Sequence, residues 1–251
     1  METKKYRFGP VVFAFVSPIP MYESPTYEAF RTTEDVPPDY TVQLVALPED
    51  SPYGNRKPIR KSICADTITV EMNCRDIRNV SVGRLMYLIG AAELFVAHDA
   101  FILHASYVIR EGKALLFSAP SGTGKSTQAD FWHDCRDAEI VNGDRVIISR
   151  ENGVFYANGA YIAGSSGILK NVKSPLGHVI LLERGTECIV RKLSVPQKLK
   201  RLLCECSFDL QDCGQYNKMI ELVSDLVNKV PTLAYGCTNN EESVEKLERY
   251  L

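Results

Sequence analysis

The sequence of 251 residues contains no long apolar run, no repeat of fixed period and no low-complexity tract. Charged residues interrupt each apolar stretch well before the ~18 to 20 residues that a membrane-spanning helix needs. The N-terminal stretch METKKYRFGP has no apolar core of the kind found in secretory signal peptides. We therefore expect a globular, cytoplasmic protein that has no membrane partner.

The sequence also lacks an excess of charge of one sign. It carries 29 basic and 31 acidic residues, which give a net charge of −2, and both signs are spread evenly along the chain. A face that binds nucleic acid requires clustered basic residues. We therefore expect no nucleic-acid partner.

Zinc-binding spacing is absent from the eight cysteines and four histidines. No CxxC pair occurs, and the histidines lie far upstream of the closely spaced Cys204 and Cys206. A chain without a secretory signal is expected in a reducing compartment, where disulfides are rare. We interpret the cysteines as reduced thiols that act as small apolar side chains.

Local patterns predict three regions along the chain. Residues 1–97 contain the β-like runs VVFAFV (11–16) and YTVQLVAL (40–47) between proline-rich stretches, and this pattern predicts a small β-rich N-terminal region. Apolar residues at helical spacing predict that this region ends in one amphipathic helix over residues 82–97. Residues 98–195 are expected to form the core.

The third region, residues 196–251, is predicted to be a helical extension packed on the core. The segments LKRLLCEC and MIELVSDLVNKV have helical apolar spacing, TLAYGC has the pattern of a strand, and NEESVEKLERYL has that of a final helix. The Asn-Glu-Glu-Ser opening of the last segment supplies capping groups.

The core region contains β-like runs that are paired across short turns. ASYVIR and KALLFSA flank Glu111-Gly112, RVIIS and VFYAN flank residues 150–153, and GHVILLE and TECIVRKLS flank Arg184-Gly185. Short turns of this kind join antiparallel strands. The sequence therefore predicts three hairpins around one helix, in an α+β fold with a mixed, largely antiparallel sheet rather than a parallel one.

Residues 115–132, LLFSAPSGTGKSTQADFW, combine an apolar run, a Gly-rich turn and the start of an amphipathic helix. The spacing is that of GxxxxGK[ST], except that Ala119 replaces the first glycine. Backbone N–H groups of such a loop and the positive end of the helix dipole can surround a phosphate chain. A polar surface turn is the alternative interpretation. The predicted nucleotide-binding residues are Ser121, Gly122, Thr123, Gly124, Lys125, Ser126 and Thr127.

Four residues in and around this loop are candidates for chemistry. Lys125 would reach the β- and γ-phosphates, and the Ser126 hydroxyl would be a Mg²⁺ ligand. Asp144 would bind Mg²⁺ or accept the proton of an acceptor hydroxyl, unless it is a turn aspartate that bonds the local backbone. His104 either lies beside the γ-phosphate or is a structural histidine.

Two further features of the sequence, the stretch 159–177 and Arg145, can each be interpreted in two ways. The Gly- and Ser-rich stretch at residues 159–177, which contains Lys170 and Lys173, is either a functional loop that meets the acceptor or the phosphates, or an ordinary mobile loop. Arg145 either assists the phosphates or forms a surface ion pair.

The stretches ILHASYVIREGKALLFSAPSGTGKSTQADFW, VNGDRVIIS and GSSGILKNVKSPL together resemble the HPr kinase/phosphorylase-like ATP-binding proteins, whose catalytic core is related to phosphoenolpyruvate carboxykinase. The resemblance covers residues 98–195. It matches the family's loop lysine and hydroxyl to Lys125 and Ser126, its upstream histidine to His104, and its catalytic aspartate to Asp144. The family carries two adjacent aspartates at this last position, whereas Gly143 precedes Asp144 here.

The resemblance implies a kinase that uses ATP and Mg²⁺ to phosphorylate a serine-type hydroxyl. The acceptor would be a peptide, a protein or a small metabolite, and the chain looks closer to relatives that phosphorylate peptides in natural-product clusters than to the carbohydrate regulator. Oligomers among the relatives imply a homo-oligomer. The alternative is a nucleotide-gated binding module, which would hold ATP and a partner without transferring phosphate and is consistent with the missing second aspartate.

Overall fold

The computed structural model describes residues 1–48, 60–208, 213–238 and 240–251. The chain forms two compact units, Met1–Leu94 and Phe95–Leu251. Each unit combines helices with a mixed sheet, which confirms the predicted α+β class. The predicted division into three regions, at residues 97/98 and 195/196, stays a prediction. Within the described ranges, no helix has the length and apolar character needed to cross a membrane.

A mixed sheet forms the centre of the N-terminal unit. Its strands are β1 (Glu2–Phe8), β2 (Val11–Ser17), β3 (Tyr40–Leu47), β4 (Arg60–Cys64) and β5 (Thr67–Asn73). The strand order is β1-β2-β3-β5-β4, with β3 parallel to both of its neighbours. The two β-like runs found in this part of the sequence coincide with β2 and β3.

The single helix predicted over residues 82–97 is wrong. The helices of this part of the chain are a 3₁₀ turn (Pro25–Phe30), α1 (Cys74–Asn79), α2 (Val82–Leu88) and α3 (Ala91–Ala97). Gly90 separates α2 from α3 with a φ of +68°, a left-handed conformation that cannot continue a right-handed helix. Leu85, Met86 and Ile89 are nevertheless buried as their spacing predicts.

The C-terminal unit contains the remaining strands and helices. The strands are β6 (Ala100–Arg110), β7 (Lys113–Ser118), β8 (Glu139–Asn142), β9 (Arg145–Glu151), β10 (Val154–Gly159), β11 (Lys173–Arg184), β12 (Ile189–Arg191), β13 (Cys206–Ser207) and β14 (Thr232–Cys237). The helices are α4 (Lys125–Arg136), α5 (Val195–Glu205), α6 (Cys213–Lys229), α7 (Glu242–Glu248) and a 3₁₀ turn at Gly164–Ser166.

The sheet of this unit has the order β10-β9-β6-β7-β11-β14-β12, and β8 and β13 also pair with β6. Two of the predicted hairpins are present, β6 with β7 and β9 with β10. β10 also pairs with β11, so the five strands β10, β9, β6, β7 and β11 form a closed ring. Pairing is antiparallel around β6, whereas β11 runs parallel to β7 and to β14.

The third predicted hairpin, around Arg184-Gly185, is wrong because β14 lies between β11 and β12. Nearly all residues of β14 are buried, whereas Ile189 and Arg191 of β12 are exposed. Placing the more apolar strand inside the sheet removes more apolar surface from water. The strand predicted at TLAYGC is therefore an internal strand of the sheet and not part of a covering layer.

Helices cover both faces of this sheet. Leu116 of β7 belongs to an apolar cluster with Leu222 and Leu226 of α6. Its neighbour Phe117 belongs to a second cluster, with Trp132 of α4 and residues of α7. Because successive side chains of a strand point to opposite faces, α6 covers one face, and α4 and α7 cover the other. With α4 packed on the sheet, the six residues between Ser118 and Lys125 keep the start of this helix close to the end of β7.

We predict that Tyr107→Phe destabilises the protein by about 1–3 kcal/mol at pH 7. The buried Tyr107 hydroxyl donates to the Ala157 carbonyl at 3.2 Å and lies 2.8 Å from the Ser174 hydroxyl, so the variant leaves two buried polar groups without this partner. Urea unfolding measures the change. Tyr87→Phe, at an exposed tyrosine, is the control.

The same variant tests a pH dependence. Burial raises the pKa of Tyr107 from 10.0 to about 12, against a smaller opposite effect of its hydrogen bond with Ser174. The stability that this difference contributes is fully present below pH 10 and is lost as the pH rises toward 12. We expect the wild type to lose more stability than Tyr107→Phe between pH 9 and pH 11, and equal losses would contradict the assignment.

Candidate functional site

His104 lies on β6 where the strand changes partners along both of its edges. On one edge, residues 100–104 pair with β9 and residues 107–109 with β8. On the other edge, residues 102–103 pair with β13 and residues 105–110 with β7. The connection from β8 to β9 therefore lies beside His104 on one edge, and the junction of α5 and β13 lies beside it on the other.

A Gly-rich loop, residues 119–124, connects β7 to α4. The Ser118 hydroxyl donates to the His104 carbonyl at 3.0 Å and anchors the start of the loop to β6. Gly122 and Gly124 have φ values of +75° and +112°, which glycine adopts at little cost. The Arg184 guanidinium donates to the Gly122 carbonyl at 2.6 Å and holds the loop from β11.

A cavity of about 590 Å³ opens over this loop. It is lined by His104, Ser121, Gly122, Thr123, Gly124, Lys125, Ser126, Thr127, Asp144, Ser165, Arg184, Gly185, Cys237 and Thr238. All the sequence-predicted site residues thus lie around one space, although their roles stay a prediction. Lys170 and Lys173 are not among the lining residues, and they form ion pairs with Glu139 and Glu151.

Sequence reasoning missed several residues of the cavity lining. Ser165 falls in the Gly- and Ser-rich stretch that the sequence marked as a loop, so a signal was present. Arg184 and Gly185 were interpreted as a hairpin turn. Cys237 and Thr238 follow the strand at TLAYGC, and nothing in their local sequence distinguishes them.

The Lys125 ammonium lies under the Gly-rich loop. Its Nζ donates to the Ala119 carbonyl at 2.9 Å and to the Pro120 carbonyl at 3.3 Å, and the residue is only 6% exposed. Burial lowers the pKa of Lys125, and the negative charges of Asp144 and Glu205 oppose this change. Two neutral carbonyls, and not a carboxylate, are therefore the hydrogen-bond partners of the ammonium.

The Asp144 carboxylate faces two basic side chains. Its Oδ1 lies 3.3 Å from His104 Nε2, and its Oδ2 lies 3.4 Å from Arg145 Nε. The hydrogen bond with His104 is the main cause that lowers the pKa of Asp144; burial opposes it, and the charges of Arg145 and Lys125 assist it. The carboxylate is therefore ionised at neutral pH.

Asn142, rather than Asp144, makes the local backbone hydrogen bonds of this turn. The buried Asn142 Oδ1 accepts from the backbone N–H groups of Asp144 and Arg145 at 2.9 and 3.0 Å. Its Nδ2 donates to the Ile162 carbonyl at 2.8 Å. The side chain of Asp144 is thereby left to face the cavity.

Glu205 is the second acidic partner of His104. His104 Nδ1 lies 2.9 Å from Glu205 Oε2, so the imidazole bridges Glu205 and Asp144. Glu205 was absent from the sequence-predicted site because it lies 101 residues from His104 in a segment that shows only helical spacing. Arg145, for which two interpretations were open, donates to the Ser207 hydroxyl at 3.1 Å and pairs with Asp144.

The loop that contains Gly164–Ser166 packs directly on the Gly143-Asp144 turn. A Cβ atom on Gly143 would lie 2.6 Å from the Ser166 Oγ and 2.9 Å from the Ser166 Cβ. A Cβ atom on Gly164 would lie 2.5 Å from the Asp144 Cβ. Glycine at position 143 therefore allows this loop to cover the turn.

A second cavity, of about 470 Å³, lies next to Ser118 at the end of β7 and to residues 119–120 of the loop. Leu181 and Leu193 contribute apolar surface to it. The rest of its lining comes from Glu183, Gln197, Lys200, Arg201, Cys204 and Glu205. Consecutive parts of one loop thus line the two cavities, and the His104–Glu205 pair links them.

We predict that Gly143→Ala destabilises the protein by about 1 kcal/mol and that Ser166→Gly in the same chain restores most of the loss. Overpacking costs about 1–3 kcal/mol, and the exposed position of Ser166 places this site at the lower end. Urea unfolding of both single variants and the double variant gives the coupling between the two positions, which we expect to exceed about 0.5 kcal/mol. Additive effects would mean that the two residues do not touch.

Comparison with known proteins adds little to this geometry. No protein-family model matches the chain, and no curated protein matches it in sequence. A solved structure that is similar to part of the chain is the Hpr(Ser) kinase/phosphatase from Coxiella burnetii. The match has 13% sequence identity and a TM-score of 0.35, and it covers 59% of this chain and 94% of that one. A likeness of this size identifies neither the family nor the activity of this chain.

Proposed function

We propose that the protein is a kinase that transfers the γ-phosphoryl group of ATP to a hydroxyl, with Mg²⁺ as cofactor. The observation that carries the proposal is the single cavity lined by the Gly-rich loop, Lys125, His104 and Asp144. Phosphoryl transfer depends on positioning and on the stabilisation of negative charge. Loop amides, an ammonium and an ionised carboxylate supply the required groups.

The loop and α4 support the assignment of a polyphosphate ligand. α4 has 12 residues, and its first residues, Lys125, Ser126 and Thr127, line the cavity together with the loop. The N-terminal N–H groups of a helix have no partners within the helix, and its dipole attracts anions. Lys125 makes two hydrogen bonds to carbonyls, which leaves its third N–H as a donor for phosphate oxygens.

The oxygen atoms near the loop fit a Mg²⁺ ion that arrives with the nucleotide. Among the described residues, no cluster of three or more His, Cys, Asp or Glu side chains could hold a metal. Nucleotide-bound Mg²⁺ does not require one, because phosphates and water supply most of its ligands. Ser126 and the ionised Asp144 would hold the ion, which neutralises phosphate charge when bound.

Asp144, held by His104, would act on the acceptor hydroxyl. The lowered pKa of Asp144 makes it a weak base, so we assign it to orienting the hydroxyl and holding the metal. This role fits phosphoryl transfer through a loose transition state, in which little proton transfer precedes the cleavage of the P–O bond. His104 holds the carboxylate oxygen that faces it.

The second cavity is our assignment for the acceptor. The hydroxyl must approach the phosphorus atom from the side opposite to the leaving group. Ala119 and Pro120, whose carbonyls hold the Lys125 ammonium, line this second cavity, so it borders the place where the ammonium would meet the phosphate. Its apolar surface and charged edge suit a hydroxyl on a peptide, a protein or a mostly apolar metabolite.

A nucleotide-gated binding module is the second candidate, and the glycine at position 143 favours it. The Gly143-Asp144 turn supplies one carboxylate, whereas the HPr kinase/phosphorylase-like proteins that the sequence resembles have two adjacent aspartates at this position. Incubation with labelled ATP and a pool of hydroxyl-bearing peptides separates the candidates. A kinase yields a phosphorylated product, whereas a module shows saturable ATP binding without product.

We predict that Lys125→Ala and Asp144→Asn each lower the rate of phosphoryl transfer at least about 100-fold, the loss seen when one preorganised polar group is removed from an active site. The loss of Lys125 should also weaken ATP binding, measured by calorimetry. Lys192→Ala, at an exposed lysine outside both cavities, is the control. Transfer that survives both substitutions at the wild-type rate would overturn the proposed function.

We predict that transfer stops when EDTA removes divalent cations, and that Ser126→Ala raises the Mg²⁺ concentration for half-maximal rate about 10-fold. The reason is the loss of one oxygen ligand from the ion. Titration of the rate with MgCl₂ measures the change. Ser62→Ala, at an exposed serine of β4, is the control. An unchanged Mg²⁺ requirement would exclude Ser126 as a ligand.

A further inference from the structure

The short strand β13 places Glu205 opposite His104. Cys206 and Ser207 pair in antiparallel register with Leu103 and Ile102 of β6. Because the register advances by one residue on each strand, Glu205 stands across from His104. The position of Glu205 is therefore fixed by backbone pairing, and not by its side chain alone.

The segment Glu205–Ser207 contacts Asp144 indirectly at two points, and the first contact runs from Glu205 through His104. The Glu205–His104 distance is 2.9 Å, and these side chains are only 12% and 14% exposed. A ring that donates from Nδ1 to Glu205 places Nε2 3.3 Å from Asp144 Oδ1, where an Nε2–H group donates to that carboxylate oxygen. Glu205 therefore sets the rotation of the ring about its side-chain bonds.

The second contact runs from Ser207 through Arg145 to the other carboxylate oxygen of Asp144. The Ser207 hydroxyl accepts from the Arg145 guanidinium at 3.1 Å. Among the described residues, the buried Arg145 Nε makes no hydrogen bond, and it lies 3.4 Å from Asp144 Oδ2. The two ends of one three-residue segment thus hold the two side chains that face the carboxylate.

We infer that Glu205–Ser207 is a positioning segment, which orients both oxygens of Asp144 through His104 and Arg145. The segment touches neither the predicted phosphates nor the predicted metal. Glu205 also lines the cavity assigned to the acceptor, so the spectra of the His104 ring are needed to separate its effect on His104 from a contact with the acceptor. Its effect on catalysis rests on the proposed function. Its effect on the orientation of His104 does not.

The experiment compares Glu205→Ala with Glu205→Gln, whose amide oxygen can still accept from Nδ1–H. In ¹⁵N-labelled protein, long-range ¹H–¹⁵N spectra report the ring nitrogens, and the His104→Gln spectrum assigns the His104 signals. We expect Glu205→Ala to shift the His104 Nδ1 signal and to abolish its protected N–H proton, and Glu205→Gln to keep that proton. Glu221→Ala, at an exposed glutamate paired with Arg150, should change neither.

The same variants are then assayed for transfer. Glu205→Ala should lower kcat about 10- to 100-fold, the range for residues that orient a ligand group, with the Kd for ATP within about 3-fold of wild type. Glu205→Gln should recover most of kcat, and Ser207→Ala should lower kcat without moving the His104 signals. Thermal unfolding confirms that each variant is folded. Glu205→Leu, which keeps the side-chain volume but has no hydrogen-bond acceptor, replaces the alanine variant in both readouts if that variant does not fold.

Three results would overturn the inference. His104 signals that are unchanged in Glu205→Ala would mean that the pair does not form in solution. Changed signals with a wild-type kcat would mean that ring orientation does not matter. An equal loss in Glu205→Ala and Glu205→Gln, without movement of the ring signals, would indicate a general structural effect. If the wild type transfers no phosphate, the proposed function is wrong, and the spectra alone decide whether Glu205 orients His104.

Discussion

The backbone pairing of β6 is the constraint on which the candidate site depends. Buried N–H and C=O groups must find partners, and β6 finds them in two strands along each edge. At the point where one partner strand of β6 ends, the backbone of that strand turns away from β6. The residue at this turn places a polar side chain next to β6. Asp144 lies at such a place on one edge and Glu205 on the other. The close approach of both carboxylates to His104 therefore follows from strand register.

This arrangement also balances the charges of the site. Two half-buried carboxylates, Asp144 and Glu205, share one imidazole, and the Arg145 guanidinium offsets the charge of Asp144. Charges that are removed from water need such partners, because an unpaired one is costly. Lys125 is the exception, since its hydrogen-bond acceptors are neutral carbonyls. An ammonium that is not bound to a carboxylate can turn toward an anionic ligand without breaking an ion pair.

The parts of the site that are close in sequence could be predicted, and the distant parts could not. The Gly-rich loop and the β6–β7 and β9–β10 hairpins depend on local turn and helix chemistry, which short segments carry. The break at Gly90 shows that apolar spacing predicts which side chains are buried better than it predicts where a helix ends. The insertion of β14 beside β11 and the approach of Glu205 to His104 depend on pairing between remote segments. No local pattern specifies which strand a buried apolar segment will join.

The glycine at position 143 explains why the orientation of Asp144 matters in this site. Ser166 and its loop occupy the space that a side chain at this position would need, so the turn offers one carboxylate to the cavity. If that carboxylate must hold a metal ion and orient a hydroxyl, both of its oxygens have to be kept in fixed directions. A free carboxylate rotates about its side-chain bonds, and preorganisation removes the cost of stopping that rotation during the reaction. His104 and Arg145 each face one oxygen, and the segment that contains Glu205 and Ser207 supports both of them. A site with one carboxylate thus depends more on the side chains that surround it than a site with two would.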